Sequence, residues 1–376
     1  MISRQDFLEK IIQDFKIFKV VAIVGPRQCG KSTLAKQYAS NRSDVHYFDL
    51  ESSQDLASLD EAQITLSKLK GLIVIDEIQR KPELFPILRY LVDNFEQKYL
   101  ILGSASRDLI RQSSETLAGR ICYIELTPLS SFELPKENLN ILWWRGGFPE
   151  SFLAHDDYAS SRWRQAYIKT FLERDLAMMG IDTDPILMGR FWQMLAHYHG
   201  QTFHPSAISN SLGIAHKTVQ RYIDILEGTF MVRQLRPWLE NIEKRQVRSN
   251  KLYIRDSGLL HNLLNVKSVE DLRGHPKLGA SWEGFALEEV IRKYQDDDCY
   301  FWSTHSQSEI DLVIFSGVKR LGFEFKYTST PKITKSMHIV MQDLKLDHII
   351  IITPADIAYP LSDNISVNGL STLNTP

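Results

Sequence analysis

Short apolar runs alternate with helical segments along the first part of the chain. Residues 20–24, 72–75 and 99–103 form runs of mostly aliphatic side chains that are too short for buried helices and typical of strands covered on both faces. A further run at 45–49 predicts an additional strand, which lies along the chain between the strands at 20–24 and 72–75. The pattern over residues 1–145 therefore predicts an α/β domain with a parallel sheet that includes an extra strand.

The pattern changes after residue 145. Residues 146–272 are mostly helical, and residues 273–376 return to alternating strands and helices, which predicts three domains with these boundaries. Within the helical part, residues 205–214 and 215–226 are two helices joined by a tight turn, the spacing of a helix-turn-helix. Residues 229–254 then predict a two-stranded wing, so the middle domain is predicted to be a winged helix.

Composition argues against a uniformly basic protein, a disulfide-rich secreted protein and a membrane-spanning protein. The chain has 376 residues, is 43% hydrophobic and 24% charged, and has a net charge of −2, so a basic binding surface can only be local. Its three cysteines are far apart and do not have the spacing of a metal site, which favours a reducing compartment. Because neither a signal-peptide core nor a run of about 18 apolar residues is evident, we expect a cytoplasmic protein without a membrane partner.

The segment after the first strand has the chemistry of a phosphate-binding loop. It reads Gly-Pro-Arg-Gln-Cys-Gly-Lys-Ser from Gly25 to Ser32, which fits G-x-x-x-x-G-K-[ST] between a strand and a helix. Backbone N–H groups and the helix amino terminus surround phosphates in such loops, while Lys31 adds a full positive charge. We therefore expect ATP to be bound by Gly25, Pro26, Arg27, Gln28, Cys29, Gly30, Lys31, Ser32 and Thr33.

Carboxylates and a small polar residue follow two other strands, at the sheet edge where ligands bind. Asp76 is predicted to hold Mg²⁺ together with the hydroxyl of Ser32. The neighbouring Glu77 is predicted to activate the water that attacks the γ-phosphate. Ser104 ends the strand at 99–104, where a sensor of the γ-phosphate is expected. The alternative for each residue is an ordinary solvated strand end.

The predicted wing carries a local surplus of positive charge. Between residues 233 and 255 there are seven basic residues and two acidic ones, which suits DNA phosphates. The acidic residues Asp224 and Glu227 dilute the charge of the preceding helix. The alternative is that the winged helix only joins domains or packs against a protein partner.

A second set of charged residues lies near the carboxyl terminus. In the helix predicted at 281–294, Glu283 falls on the apolar stripe, whereas Glu288 and Glu289 are expected to point away from it. A predicted hairpin then places Glu324 and Lys326 on one strand face, where Asp311 and Glu283 can join them. Such a group could hold a second divalent metal ion and cleave phosphodiesters. The alternative is a structural ion-pair cluster in an inactive nuclease.

Taken in order, several short motifs resemble those of a bacterial and archaeal family of AAA-type ATPases with a carboxyl-terminal DUF4143 domain. The resemblance covers nearly the whole chain and implies an ATP-binding core, a winged helix and an α/β restriction-endonuclease-like terminal domain, but no particular biological role. The motifs are Gly25–Ser32, Leu72–Gln79, Gly103–Ser106, Leu117–Arg120, Pro128–Ser130, Gly146–Glu150, Arg174–Asp175 and Lys251–Asp256.

Within the motif Leu-Ala-Gly-Arg, Arg120 is the candidate for an arginine that contacts the γ-phosphate, across a subunit boundary if the protein is a homo-oligomer. The alternative is that Arg120 forms a surface or interdomain ion pair.

Together these features predict a Mg²⁺-dependent ATPase that engages DNA through its winged helix. The alternatives are an ATP-gated metal-dependent nuclease and an ATP-switched regulator that binds proteins through an inactive nuclease-like domain.

Overall fold

The computed structural model describes most of the chain, and these residues fold into two compact units. The described residues are 2–40, 42–104, 115–240, 246–295, 298–305 and 308–373. The first unit consists of Met1–Leu129 with Gly228–Phe230, and the second consists of Ser130–Glu227 with Met231–Pro376.

A parallel sheet forms the centre of the first unit. Its strands are β1 (Val20–Gly25), β2 (Val45–Asp49), β3 (Leu72–Asp76), β4 (Lys98–Ser104) and β5 (Ile121–Glu125). In the described part of the chain their order is β2-β3-β4-β1-β5, and each pairing is parallel. The predicted α/β fold is therefore confirmed, and β4 is the strand inserted between β1 and β3.

Helices cover both faces of this sheet, which explains why its strands are continuous apolar runs. In β3, Ile73 and Ile75 pack into the core on one face, whereas Leu72 and Val74 pack into the core on the other. The helical elements of this unit are α1 (Gln5–Asp14), α2 (Lys31–Ala39), α3 (Ser53–Ser58), α4 (Ala62–Ser67), a 3₁₀ turn at Ile78–Arg80 and α5 (Leu84–Asn94).

A mixed sheet runs through the second unit. Its strands are β6 (Gln201–Thr202), β7 (Val232–Pro237), β8 (Lys251–Ile254), β9 (Cys299–Ser303), β10 (Glu309–Ser316), β11 (Lys319–Phe325), β12 (His348–Thr353), β13 (Ala358–Ser362) and β14 (Ile365–Gly369). Among the described residues the order is β13-β14-β12-β11-β10-β9-β7-β8-β6. The strands predicted as a wing, β7 and β8, therefore belong to the same sheet as the terminal strands.

The second unit begins with a mostly helical region, as the sequence predicts. That region contains a 3₁₀ turn at Lys136–Asn138, α6 (Leu139–Arg145), α7 (Pro149–Phe152), α8 (Asp157–Thr170), a π-helical turn at Phe171–Asp175, α9 (Leu176–Met178), α10 (Pro185–His197), α11 (Pro205–Leu212), α12 (His216–Gly228), α13 (Ser257–Leu263) and α14 (Val269–Arg273). The rest of the unit contains α15 (Leu278–Tyr294), α16 (Lys335–Asp343) and a 3₁₀ turn at Leu370–Thr372. None of the helices in the described ranges is both long and apolar enough to cross a bilayer.

The helix α15 corrects one expectation from the sequence. Glu288 and Glu289 do not point to solvent, because both are fully buried. Arg233 and Arg255 hold the carboxylate of Glu288, and this charge lowers the pKa of Glu288 despite its burial. The prediction that these two glutamates face solvent was wrong because it assumed a helix with one apolar face, whereas α15 is covered on nearly all sides.

Candidate nucleotide site and terminal carboxylate cluster

The loop between β1 and α2 has the backbone geometry of a phosphate cradle. Gly30 precedes the first residue of α2 with φ = 102°, a left-handed conformation that strongly favours glycine. A side chain on Gly25 would collide with the carbonyl oxygen of Leu126. Both glycines are therefore needed for the chain to turn from the sheet into the helix, which directs the amino terminus of α2 toward the loop.

Lys31 is turned back onto this loop. Its side chain is buried, and its Nζ donates to the carbonyl oxygens of Gly25, at 3.1 Å, and Pro26, at 2.8 Å. These two carbonyl oxygens are hydrogen-bond acceptors of the ammonium, and phosphate oxygens could take their place as acceptors. The ammonium is thus positioned within the loop and has exchangeable partners.

The residues predicted to hold Mg²⁺ meet at a tyrosine that the sequence did not identify. Tyr47, on β2, donates its hydroxyl to Oδ2 of Asp76 at 2.6 Å, and the Ser32 side chain is near enough to the same phenol to influence its pKa. Burial and the Asp76 carboxylate raise the pKa of Tyr47 well above its usual range. A hydroxyl and a carboxylate beside one tyrosine supply the hard oxygen ligands that fit a Mg²⁺ ion which keeps several waters.

Glu77 is held in an unusual backbone conformation immediately after β3. Its φ is 57°, which few residues other than glycine adopt and which often marks a functional position. Gln79 donates to its Oε2 from the 3₁₀ turn that follows. Burial raises the pKa of Glu77, opposed by the charges of Lys31 and Arg27. A positioned carboxylate with a raised pKa is suited to accept a proton.

The other two predicted catalytic residues, Ser104 and Arg120, lie at opposite ends of the parallel strands. The strand register places Ser104 beside Gly25, at the edge that carries the phosphate loop. Arg120 instead precedes β5, at the amino-terminal end of the parallel strands, where its carbonyl oxygen accepts the backbone N–H of Val20. Five residues of strand β1 separate this position from the phosphate loop, a distance of about 17 Å. Its guanidinium pairs with both carboxylate oxygens of Asp93, at 2.7 and 3.0 Å. Arg120 therefore cannot reach the nucleotide of its own chain.

Arg4, which sequence reasoning did not identify, forms hydrogen bonds with the backbone of the phosphate loop and of the chain after β5. It is buried and donates to the carbonyl oxygens of Cys29, Thr127 and Pro128. The thiol of Cys29 in turn donates to the carbonyl of Leu126 at 3.3 Å, and burial raises its pKa. Cys29 is thus a packed residue of the loop rather than a reactive thiol.

The basic residues of the predicted wing are divided between the interior and the surface. Arg233 and Arg255 bind Glu288, and Lys251 is buried among other carboxylates. Arg236 and Arg248 are exposed. Lys244 and Arg245 lie outside the described residues. The surplus of five charges counted along the sequence is therefore smaller at the surface.

The four residues of the predicted nuclease site do come together in the second unit. Lys326 Nζ lies 2.6 Å from Oε1 of Glu324, and Oδ2 of Asp311 accepts the backbone N–H of Phe325 at 3.1 Å. Burial, followed by the charge of Asp311, raises the pKa of Glu324 to about 8 and that of Glu283 to about 7. We call Glu283, Glu309, Asp311 and Glu324 the terminal carboxylate cluster.

Three members of this site were missed by sequence reasoning, namely Glu309, Lys251 and Tyr253. Lys251 lies 3.2 Å from Oδ1 of Asp311, and Tyr253 donates to Oε1 of Glu283 at 2.7 Å. Both are on β8, which the sequence presents only as part of the basic wing. In the described ranges no group of His, Cys, Asp and Glu side chains has a geometry ready to hold a metal ion.

Comparisons with known proteins divide the chain into consecutive parts. Residues 18–134 match the family model of an AAA domain, residues 136–270 match a domain of unknown function (DUF8612), and residues 278–373 match a domain of unknown function (DUF4143). None of these descriptions assigns an activity to the two later parts.

Relatives extend the similarity over nearly the whole chain. An uncharacterized protein of Mycobacterium tuberculosis is 44% identical over 367 residues, which cover 97% of this chain and 83% of that protein. An uncharacterized protein of Haemophilus influenzae is 27% identical over 72% of this chain and 75% of its own length. The structure of a Walker-type ATPase from Pyrococcus abyssi superimposes with a TM-score of 0.52 and 14% identity, over 70% of this chain and 96% of that one, which is a similarity of fold. The chain belongs to the family of AAA-domain proteins with a carboxyl-terminal DUF4143 domain.

Proposed function

We propose that this protein binds ATP with Mg²⁺ and hydrolyses it. The observation that carries the proposal is the placement of three kinds of group at one edge of a parallel sheet. These are a lysine within a glycine loop, a hydroxyl and a carboxylate beside one tyrosine, and a glutamate held in a left-handed conformation. Phosphate binding, metal binding and water activation each need one of them.

Binding uses the loop and Lys31. On arrival of the triphosphate, Nζ leaves the carbonyls of Gly25 and Pro26 for phosphate oxygens, and the N–H groups at the start of α2 donate to the same anion. Ser32 and Asp76 would hold the Mg²⁺ ion, which neutralises charge on the phosphates when it is bound. Tyr47 keeps the Asp76 carboxylate oriented until then.

Hydrolysis depends on Glu77. Its carboxylate accepts a hydrogen bond from the attacking water and takes the proton as the oxygen of that water bonds to the γ-phosphorus. The bond from the γ-phosphorus to the β–γ bridging oxygen breaks in the same displacement, so that ADP leaves with that oxygen and inorganic phosphate is formed. Gln79 orients the carboxylate by donating to Oε2. Ser104, beside the first glycine of the loop, is our candidate for contact with the γ-phosphate. Arg120 would serve only a nucleotide bound by a neighbouring subunit, because it lies at the opposite edge of its own sheet.

Calorimetric titration of the full chain with ATP and Mg²⁺ tests the binding step. Lys31→Ala should weaken ATP affinity by about 10- to 100-fold, as expected for the loss of charged hydrogen bonds. Lys16→Ala, which removes an exposed lysine of the same unit, is the matched control and should bind as the wild type does. Equal affinity in the Lys31 variant would contradict the assignment of the loop.

We also propose that α11 and α12 engage duplex DNA. Gly213 is left-handed between the two helices, as the tight turn of a helix-turn-helix needs, and Lys217 and Gln220 are exposed in the first half of α12. In helix-turn-helix proteins, the amino-terminal part of the second helix contacts base edges. The exposed Arg236 and Arg248 add positive charge for phosphates.

The salt dependence of DNA affinity tests this second proposal. Affinity for a duplex should fall steeply with salt, and Lys217→Ala and Arg248→Ala should each reduce the slope by about one unit if both contact phosphates. Lys319→Ala, at the exposed turn between β10 and β11, is the control. An affinity for DNA that does not change with salt concentration, or no binding to any duplex, would favour a protein partner instead.

A further inference from the structure

The terminal carboxylate cluster surrounds a lysine ammonium from a different part of the chain. Nζ of Lys251 lies 3.2 Å from Oδ1 of Asp311 and 3.6 Å from Oε1 of Glu283, and it also forms an ion pair with Glu309. These three carboxylates come from α15 and β10. One cation therefore occupies the point at which they converge.

The ammonium is fixed in this position by its surroundings. The Lys251 side chain is only 5% exposed, and its Nζ lies 5.5 Å from the ring centroid of Phe301. The backbone of Lys251 belongs to the sheet on both sides, opposite Thr202 of β6 and Leu235 of β7. The two neighbouring strands therefore fix the backbone position from which this side chain extends, and burial limits the space in which the ammonium can move.

In the described part of the chain, carboxyl groups outnumber ammonium groups at this site. Four carboxylates face two ammonium groups, because Lys326 contributes the second at Glu324. Oε2 of Glu324 is buried and has no hydrogen-bond partner. Loss of Lys251 would leave three of the carboxylates without their shared cation, a set of oxygen ligands that suits a divalent ion.

We propose that Lys251 is the built-in cation of the terminal carboxylate cluster and holds the place of a divalent metal ion, so that the cluster binds such an ion only when the ammonium is removed. The wild-type cluster is then a closed structural site. Any phosphodiester chemistry that depends on a metal ion at these carboxylates is blocked in the wild-type chain. The ATPase site in the other unit is independent of this proposal.

Thermal unfolding of the full chain with Mn²⁺ or with EDTA, without nucleotide, tests the proposal. All seven tryptophans lie between residues 143 and 302, so tryptophan fluorescence follows the second unit. The wild-type transition should be unchanged by about 1 mM Mn²⁺, whereas Lys251→Met should melt lower in EDTA and regain stability in Mn²⁺ by mass action. We expect Mn²⁺ affinity, measured from free ion by electron paramagnetic resonance, to rise at least about tenfold in Lys251→Met.

Two further variants separate this effect from other sources of metal binding. Lys251→Arg keeps a cation and should gain no Mn²⁺ affinity, and adding Asp311→Asn to Lys251→Met should abolish the gain. If Lys251→Met is unfolded in EDTA, refolding in Mn²⁺ supports the proposal, and failure to fold in either buffer contradicts it. Mn²⁺ binding by the wild type that Asp311→Asn removes would also overturn it.

Discussion

Replacement of Glu324 by glutamine should make the second unit more stable at high pH. In the folded state burial and the charge of Asp311 raise the pKa of Glu324 to about 8, whereas the ordinary value is 4.5. Between these values the native state binds a proton that the unfolded state has released, so stability falls as pH rises. The contribution of this carboxyl is fully present below pH 4.5 and is lost as pH rises through about 8.

The magnitude follows from the size of the shift. At about 1.4 kcal/mol per pKa unit, the penalty carried by the wild type between pH 5 and pH 9 is roughly 3 to 5 kcal/mol, since Glu324 titrates together with Glu283. Glu324→Gln removes this penalty. It also removes the ion pair with Lys326, but that side chain is 44% exposed and such pairs contribute about 1 kcal/mol or less.

Urea denaturation followed by tryptophan fluorescence measures this effect, because all the tryptophans lie in the second unit. At pH 5 the variant and the wild type should differ by about 1 kcal/mol or less, and at pH 9 the variant should be more stable by about 3 kcal/mol or more. Glu137→Gln, an exposed residue of the same unit, should show no such change with pH. A difference that is the same at both pH values would refute the reasoning.

Three other perturbations have defined outcomes. Arg4→Ala removes the donor to three backbone carbonyls at the phosphate loop, so we expect about 1–3 kcal/mol lower stability by thermal unfolding and weaker ATP affinity by calorimetry. Glu288→Ala removes a buried carboxylate from its ion pair with Arg233 and should cost about 3–5 kcal/mol in urea denaturation, whereas a loss below about 1 kcal/mol would show that the pair contributes little. If Arg120 acts across a subunit boundary, Arg120→Ala and Lys31→Ala chains should each be inactive and should regain ATPase activity when mixed; no recovery would argue against that role.

The phosphate loop could be predicted from the sequence because its chemistry is local. Eight consecutive residues determine the turn, the charge and the helix amino terminus, and the flanking apolar runs determine the sheet. Tyr47 and Arg4 could not be identified in this way. They reach Asp76 and Cys29 across 29 and 25 residues of chain, through strand order and packing that a local pattern does not contain.

The terminal site shows a different limit of sequence reasoning. Alternation along one strand was enough to place Glu324 and Lys326 together. It could not show that β8 joins the terminal sheet, so Lys251 was counted with the surface charge of a wing instead of the buried cluster. Helical periodicity likewise failed for Glu288, because a helix that is buried on nearly all sides has no polar face to predict.

Turnover of ATP by Glu77→Gln is the most direct test of the central claim that this protein is an ATPase with Glu77 as its base. Phosphate release at saturating ATP and Mg²⁺ should fall by about 10²- to 10⁴-fold, the usual contribution of a general base, while ATP affinity changes by less than about threefold. Glu83→Gln, an exposed glutamate in the same unit, should hydrolyse ATP at the wild-type rate. Undiminished phosphate release from Glu77→Gln, or none from the wild type, would contradict the account.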